Sequence, residues 1–150
     1  MEYVVLSPAD ADRLLEFYQT LSAAVVDTYQ PFPEVSLATM NDHLAGAAAG
    51  KHISMAVEEA GRIWGHSFIM NINEEHPVFG IGISDSHQNE GLGRGLMTRI
   101  IEHGDGLKSI SLTVLKYNTR ALTLYKSFNF KIVSDHTFRE ANDSHFMIRT

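Results

Sequence analysis

Gly91-Leu92-Gly93-Arg94-Gly95 is the stretch whose residue types and spacing could do chemistry most directly. Its glycines remove side chains where the backbone must come close to something. The segment follows an apolar run, residues 78–84, which contains Gly80 and Gly82. It leads straight into Leu92, Leu96, Met97, Ile100 and Ile101, which have helical period. A helix beginning here presents unpaired N–H groups and the positive end of its dipole. A glycine-rich start to a helix is an anion site, and phosphate is the usual anion. Two familiar phosphate loops fit poorly. The dinucleotide fingerprint lacks its third glycine at the required spacing. The ATP loop needs Gly-Lys-Ser/Thr, where this chain has Arg94-Gly95-Leu96. A nicotinamide oxidoreductase is therefore the weaker reading.

The elements that must position this loop follow from periodicity. Residues 3–6 read as a strand. Ser7-Pro8-Ala9-Asp10 reads as a helix start, with an acid three residues after the cap, and Leu14, Tyr18 and Leu21 follow at helical spacing. Residues 28–34 are looser. A second helix is predicted from Ser36 to about Ala49. Residues 52–58 and 63–72 read as strands around the turn Glu59-Ala60-Gly61-Arg62, and residues 78–84 as a third. The helix after the loop stops at Gly104 or Gly106. Ile110, Leu112 and Val114 then alternate as a strand. Ala121, Leu124, Tyr125 and Phe128 form a helical stripe capped by Asn118 or Thr119. Residues 131–139 and 145–149 read as a closing hairpin. The class is α/β with a mixed sheet, because the antiparallel middle excludes a doubly wound repeat. No repeat or linker divides residues 1–150, so one domain is expected.

Composition narrows the function. With no cysteine, disulfides, cysteine–zinc sites and a cysteine nucleophile are excluded, and a cytoplasmic setting is expected. A net charge of −6 without a basic stripe argues against a nucleic-acid partner. The first ten residues do not read as a signal peptide, and no apolar run suggests a membrane partner. The eight histidines show no helical i, i+4 pair, so no metal is expected.

The spacing Gln88-x-x-Gly91-x-Gly93 resembles the pyrophosphate motif of the GCN5-related N-acetyltransferase (GNAT) family. Asn118-Thr-Arg-Ala121-Leu-Thr-Leu-Tyr125-Lys-Ser-Phe128-Asn129-Phe130 resembles its second signature, departing only at Asn129, where glycine is usual. The order of elements is similar too. The resemblance implies the GNAT fold: a central mixed, partly antiparallel sheet of about seven strands flanked by about four helices. It implies an acetyl-CoA-dependent N-acetyltransferase that moves acetyl to a primary amine of a small molecule or peptide by direct attack on the thioester. The other reading on this scaffold is a non-catalytic acyl-CoA sensor or interaction module. Many relatives dimerise, so a homodimer is an open expectation.

The resemblance also implies roles. The cofactor arm would lie between residues 78–84 and 110–116, paired with backbone groups of Ile81 and Ile83, with Gly80 and Gly82 permitting close approach. The N–H groups of Gln88, Asn89, Glu90, Gly91, Leu92 and Gly93, with Arg94 and Gly95, would hold the diphosphate. Asn118 would contact the arm near the thioester. Glu90 stands where a basic residue is frequent, and a carboxylate there opposes an anion.

Transfer needs a deprotonated amine, a stabilised carbonyl oxygen and a proton for the departing thiolate. Tyr125 sits where the family places its proton-donating tyrosine, and is also part of the apolar stripe. The oxyanion donor is expected to be a backbone N–H around Ile83. For the base, Glu75, His76 and an ordered water chain all stand open, since Leu112-Thr113-Val114 lacks the glutamate some relatives carry. Tyr29, Phe32, Glu34 and Trp64 are candidates for the acceptor wall, with Glu34 able to attract a cationic amine.

Overall fold

In the computed structural model, which describes residues 1–88 and 90–150, seven strands form one open sheet in the order β1-β2-β3-β4-β5-β7-β6. β1 (Glu2–Val5), β2 (His52–Glu59), β3 (Arg62–Met70) and β4 (Val78–Ile83) are antiparallel neighbours. β5 (Ile110–Leu115) runs parallel to β4, and β7 (Ser144–Arg149) and edge strand β6 (Lys131–His136) continue antiparallel. The helices are α1 (Ala11–Gln19), α2 (Ala23–Thr28), α3 (Leu37–Ala48), α4 (Leu92–His103) and α5 (Thr119–Ser127). This is the mixed sheet expected from the sequence, with one more helix. α2 escaped periodicity because it is only 6 residues long and buries none of them. It starts where Val25 N–H donates to Ser22 Oγ at 3.3 Å.

Local chemistry explains the boundaries. Ala60 and Gly61, at φ 54° and 77°, are both left-handed and make a tight turn whose twist suits the β2–β3 hairpin. Ser7 N–H donates to Asp10 Oδ2 at 2.8 Å and starts the turn leading into α1. α5 is closed by Phe130 N–H on Tyr125 O at 3.2 Å, which requires a left-handed residue between them. Asn129, at φ 68°, supplies it, so the departure from glycine keeps the conformation. Asn129→Val should cost about 1–2 kcal/mol, while Asn129→Gly should be close to neutral. Urea unfolding midpoints check both.

Alternation along the strands divides the apolar residues between two faces. On one, Leu96, Met97 and Ile100 of α4 pack with Met55, Val57, Ile69, Phe79, Leu112 and Met147. On the other, Leu14 and Phe17 of α1 and Met40 and Leu44 of α3 cover Ala56 and Ile63. Ile81 and Ile83 join the α4 face, which leaves Gly80 and Gly82 facing the α1–α3 side. Among the described residues no helix is long and apolar enough to cross a membrane.

Candidate active site

Neighbouring strands β4 and β5 share one register pair, Val78 with Ser111. Ser111 clamps that apex: its N–H and its hydroxyl both donate to Pro77 O, at 2.8 and 3.0 Å. Beyond it each strand is satisfied by its other neighbour. Ser84 N–H donates to Trp64 O at 2.8 Å, and Gly82 and Gly80 stand opposite His66 and Phe68. Antiparallel alternation therefore turns the N–H and C=O groups of Ile81 and Ile83 toward β5. A cleft of about 890 Å³ opens there, lined by residues 78–83 of β4, 112–115 of β5, the first turn of α4, and Ala121, Leu124 and Tyr125 of α5.

The loop to α4 closes one end. Gly91 caps the helix at φ 76° and has no side chain to offer, so among the described residues no side chain caps the N–H groups of Leu92, Gly93 and Arg94. Among the described residues the first N–H to bond back is that of Gly95, on Gly91 O at 3.1 Å. Gln88 turns inward instead: its Nε2 donates to Ile83 O at 2.9 Å and ties the loop to β4. Gly95 serves packing, because a Cβ there would collide with the Tyr3 hydroxyl. Arg94 lies along the rim, with Nη2 donating to Ser127 Oγ at 3.2 Å. Asn89 lies outside the described residues. Glu90 is exposed and immediately precedes Gly91 at the helix start. Glu90→Lys should tighten CoA binding several-fold at low ionic strength and less at high salt. Isothermal calorimetry at two salt concentrations tests this, and equal affinities would refute it.

Tyr125 lines the cleft between Phe79 and Phe130, with ring centroids 6.0 and 6.1 Å away. Burial pushes its phenol up to about 12. Asn118 lines the cleft and spends its Oδ1 on the Ala121 N–H, capping α5 at 3.4 Å. Gly80 and Gly82 admit aromatic rings rather than a ligand: a Cβ at Gly80 would strike Phe68, and one at Gly82 would strike Tyr29. Tyr29 lines both the cleft and an adjoining pocket of about 260 Å³. That side pocket also holds Phe32, Tyr18, Leu21 and Val26.

Four expected residues are not brought to the cleft. Glu34 is exposed and lines neither cavity. Trp64 stacks on His87 at 4.1 Å, under the Arg62 guanidinium at 4.5 Å. Glu75 and His76, both exposed and 3.8 Å apart, precede the closed apex where β4 meets β5. The direction of β4 accounts for this, since its open end lies at Ile83. Sequence reasoning passed over Tyr18, His43, Ser54 and His66, which form a buried polar line behind Tyr29. They come from α1, α3, β2 and β3, and no spacing relates them. Among the described residues no cluster of three His, Asp or Glu side chains could hold a metal ion.

The sequence matches the model of the acetyltransferase (GNAT) family over residues 14–130. The chain belongs to the GNAT family. Both signature segments of this GNAT chain fall inside the matched span. Solved structures share its fold from end to end. A GNAT acetyltransferase from Streptococcus pneumoniae superposes with TM-score 0.79 at 22% identity, covering 99% of this chain and 98% of its own. YncA from Salmonella typhimurium, solved with its cofactor acetyl-CoA, gives 0.81 at 18%, covering 99% and 92%. Spermidine N-acetyltransferase from Vibrio cholerae, in complex with CoA and spermine, gives 0.75 at 18%, covering 98% and 92%. No curated protein sequence matches the chain.

Proposed function

We propose that this GNAT protein transfers the acetyl group of acetyl-CoA to a primary amine of a small molecule or peptide. The observation that carries the reading is the single-pair contact of β4 and β5 beside a helix start whose N–H groups no described side chain caps. Those features fit the two ends of the donor. The amides of Leu92, Gly93 and Arg94 suit a diphosphate. The outward backbone of Ile81 and Ile83 suits the amides of an extended arm. Bound there, acetyl-CoA supplies the activated acetyl thioester. Tyr125 donates its phenolic proton to the departing sulfur, and the N–H around Ile83 steadies the carbonyl oxygen. The adjoining pocket at Phe32 and Tyr29 takes an apolar part of the acceptor. The cysteine-free sequence suits a reducing cytoplasm.

Thermal unfolding with acetyl-CoA, followed by free-thiol release across an amine panel, tests the proposal. The panel includes spermidine and a peptide N-terminus. A ligand at a hundred times its Kd adds roughly 2.7 kcal/mol of stability. Stabilisation with thiol release supports transfer. Stabilisation with no thiol released from any amine makes the chain an acyl-CoA sensor.

A further inference from the structure

The side pocket of about 260 Å³ meets the cleft along Tyr29, Gln30 and Pro31, which line both spaces. The rest of its wall is Leu21, Val26, Pro33 and Val35 with the rings of Tyr18 and Phe32. Among the described residues no charged side chain lines it. An apolar cavity of about 150 Å³ already takes a benzene molecule, so this space has room for one ring. The rings of Tyr18 and Phe32 stand edge to face at 5.2 Å, and those of Tyr18 and Tyr29 stack at 5.9 Å. A further aromatic ring can join such a wall by the same geometries. The polar atoms of the wall are already engaged within the protein. The hydroxyls of Tyr29 and Tyr18 are 2.6 Å apart, and Tyr18 Oη lies 2.6 Å from His66 Nδ1. His66 Nε2 lies 2.8 Å from Ser54 Oγ, which fixes the line in the core. Gln30 Nε2 donates to Val26 O at 2.9 Å. A hydroxyl or second ammonium of a ligand entering here would lose its water and gain no charged partner.

The cleft itself holds few acids. Among the described residues that line it, Asp85 is the one carboxylate, in the turn after β4. Arg94 and Arg120 line it as cations. One carboxylate answers one ammonium. The further ammonium groups of a polyamine would face arginines or an uncharged pocket, and an unpaired cation out of water is costly. The two walls of the cleft are also bridged. Ala24, Val25 and Thr28 of α2 line one wall, and Phe138 of the β6–β7 connection lines the other. Asp27 of α2 pairs with Arg139, next to Phe138, and accepts from Tyr117 Oη at 3.2 Å. A bridged cleft suits a free small molecule better than a chain terminus, whose following residues must leave between the walls.

We infer that the acceptor is a small monoamine whose one ammonium lies at the Asp85 end of β4 and whose aromatic ring fills the side pocket at Phe32. The inference rests on the acetyl-transfer reading and narrows its acceptor. Tyr29 links the two halves of such a molecule. Its ring lies against Gly82, between the two residues whose backbone faces the gap, and it borders the side pocket as well. A short aliphatic spacer running past this ring carries the amine from the pocket to the gap. The hydrogen-bonded line behind Tyr29 then acts as a brace. It holds the Tyr18 and Tyr29 rings where the ligand ring must pack, which explains polar side chains in a place where packing alone would favour apolar ones.

The test measures kcat/KM for free-thiol release, expressed per unprotonated amine. The acceptors are phenethylamine, phenylpropylamine, propylamine, spermidine and a peptide with an N-terminal phenylalanine. The better of the two aryl amines should exceed each of the others at least about tenfold, the low end of what filling a hydrophobic pocket gives. Phe32→Ala should cut the ratio of aryl amine to propylamine about tenfold, chiefly through KM. Val26→Glu places a carboxylate in the pocket wall and should shift the ratio of aryl amine to spermidine toward spermidine by a similar factor. A melting shift with acetyl-CoA equal to that of the wild type shows that a variant is folded and loaded. If Phe32→Ala fails that check, Val26→Glu decides. A wild type that prefers propylamine, spermidine or the peptide, or that treats all alike, would overturn the aryl monoamine and leave acetyl transfer standing. An aryl preference that neither folded variant alters would equally overturn it, because the side pocket would then not be its source. No thiol released from any amine overturns the acetyl-transfer reading, and the acceptor class with it.

Discussion

Tyr125→Phe should lower kcat about a hundredfold, the low end of what a positioned proton donor contributes. A thiol ordinarily titrates near 8.5. A phenol that burial has raised to about 12 therefore stays protonated throughout the working pH range. It can give its proton only as negative charge gathers on the departing sulfur. Removing the hydroxyl leaves that charge without a donor. The substitution is clean, because Tyr125 Oη takes part in none of the hydrogen bonds among the described residues. The ring keeps its contacts with Phe79 and Phe130. Cofactor affinity by calorimetry and the melting temperature should therefore stay near wild type. Steady-state thiol release is the deciding measurement, and an unchanged kcat would take Tyr125 out of the mechanism.

Gly93→Ala should move stability and affinity in opposite directions. A Cβ built at Gly93 meets nothing closer than Leu124 Cδ2 at 3.8 Å and Ile83 Cγ1 at 3.9 Å. The fold thus accepts a methyl, and replacing glycine inside a helix gains up to about 1 kcal/mol. The same methyl would stand in the cleft lining, beside the N–H groups assigned to the diphosphate. CoA binding should weaken at least about tenfold, equivalent to about 1.4 kcal/mol. Urea unfolding and calorimetry on one preparation read both signs. Retained affinity would show that the helix start does not hold the diphosphate. The neighbouring glycines lack this pairing. Gly91 is held at φ 76°, which strains any side chain, and Gly95 has Tyr3 against it.

The parts of the site that could be read in advance share one property: they depend on residues close together in the chain. Gly91, Gly93 and the helical stripe after them announce a backbone-lined helix start, because a few consecutive residues decide its conformation. The hairpin at Ala60 and Gly61 and the capped start at Ser7 are equally local. The stripe of Ala121, Leu124 and Tyr125 announced α5, and the solved structures that superpose over 98–99% of the chain bear out the fold as a whole. Even Asn129, which departs from the signature, keeps the backbone angle that glycine usually supplies.

What escaped the sequence depends on which distant segments meet. The opening between β4 and β5 exists because Ser111 is committed to Pro77 at the apex, while each strand satisfies its hydrogen bonds on its other side. Gly80 and Gly82 looked like room for a ligand, but Phe68 and Tyr29 fill it from elsewhere in the chain. Glu75 and His76 looked close to the chemistry in sequence, yet the direction of β4 carries them past its closed apex. Residue types and spacing along the chain thus determined the family, the fold class and the glycine-rich helix start, because short-range backbone geometry dictates them. Only tertiary packing decided which strands part, and that His43, Ser54, His66, Tyr18 and Tyr29 join into one line, because those contacts hang on how helices seat across a sheet.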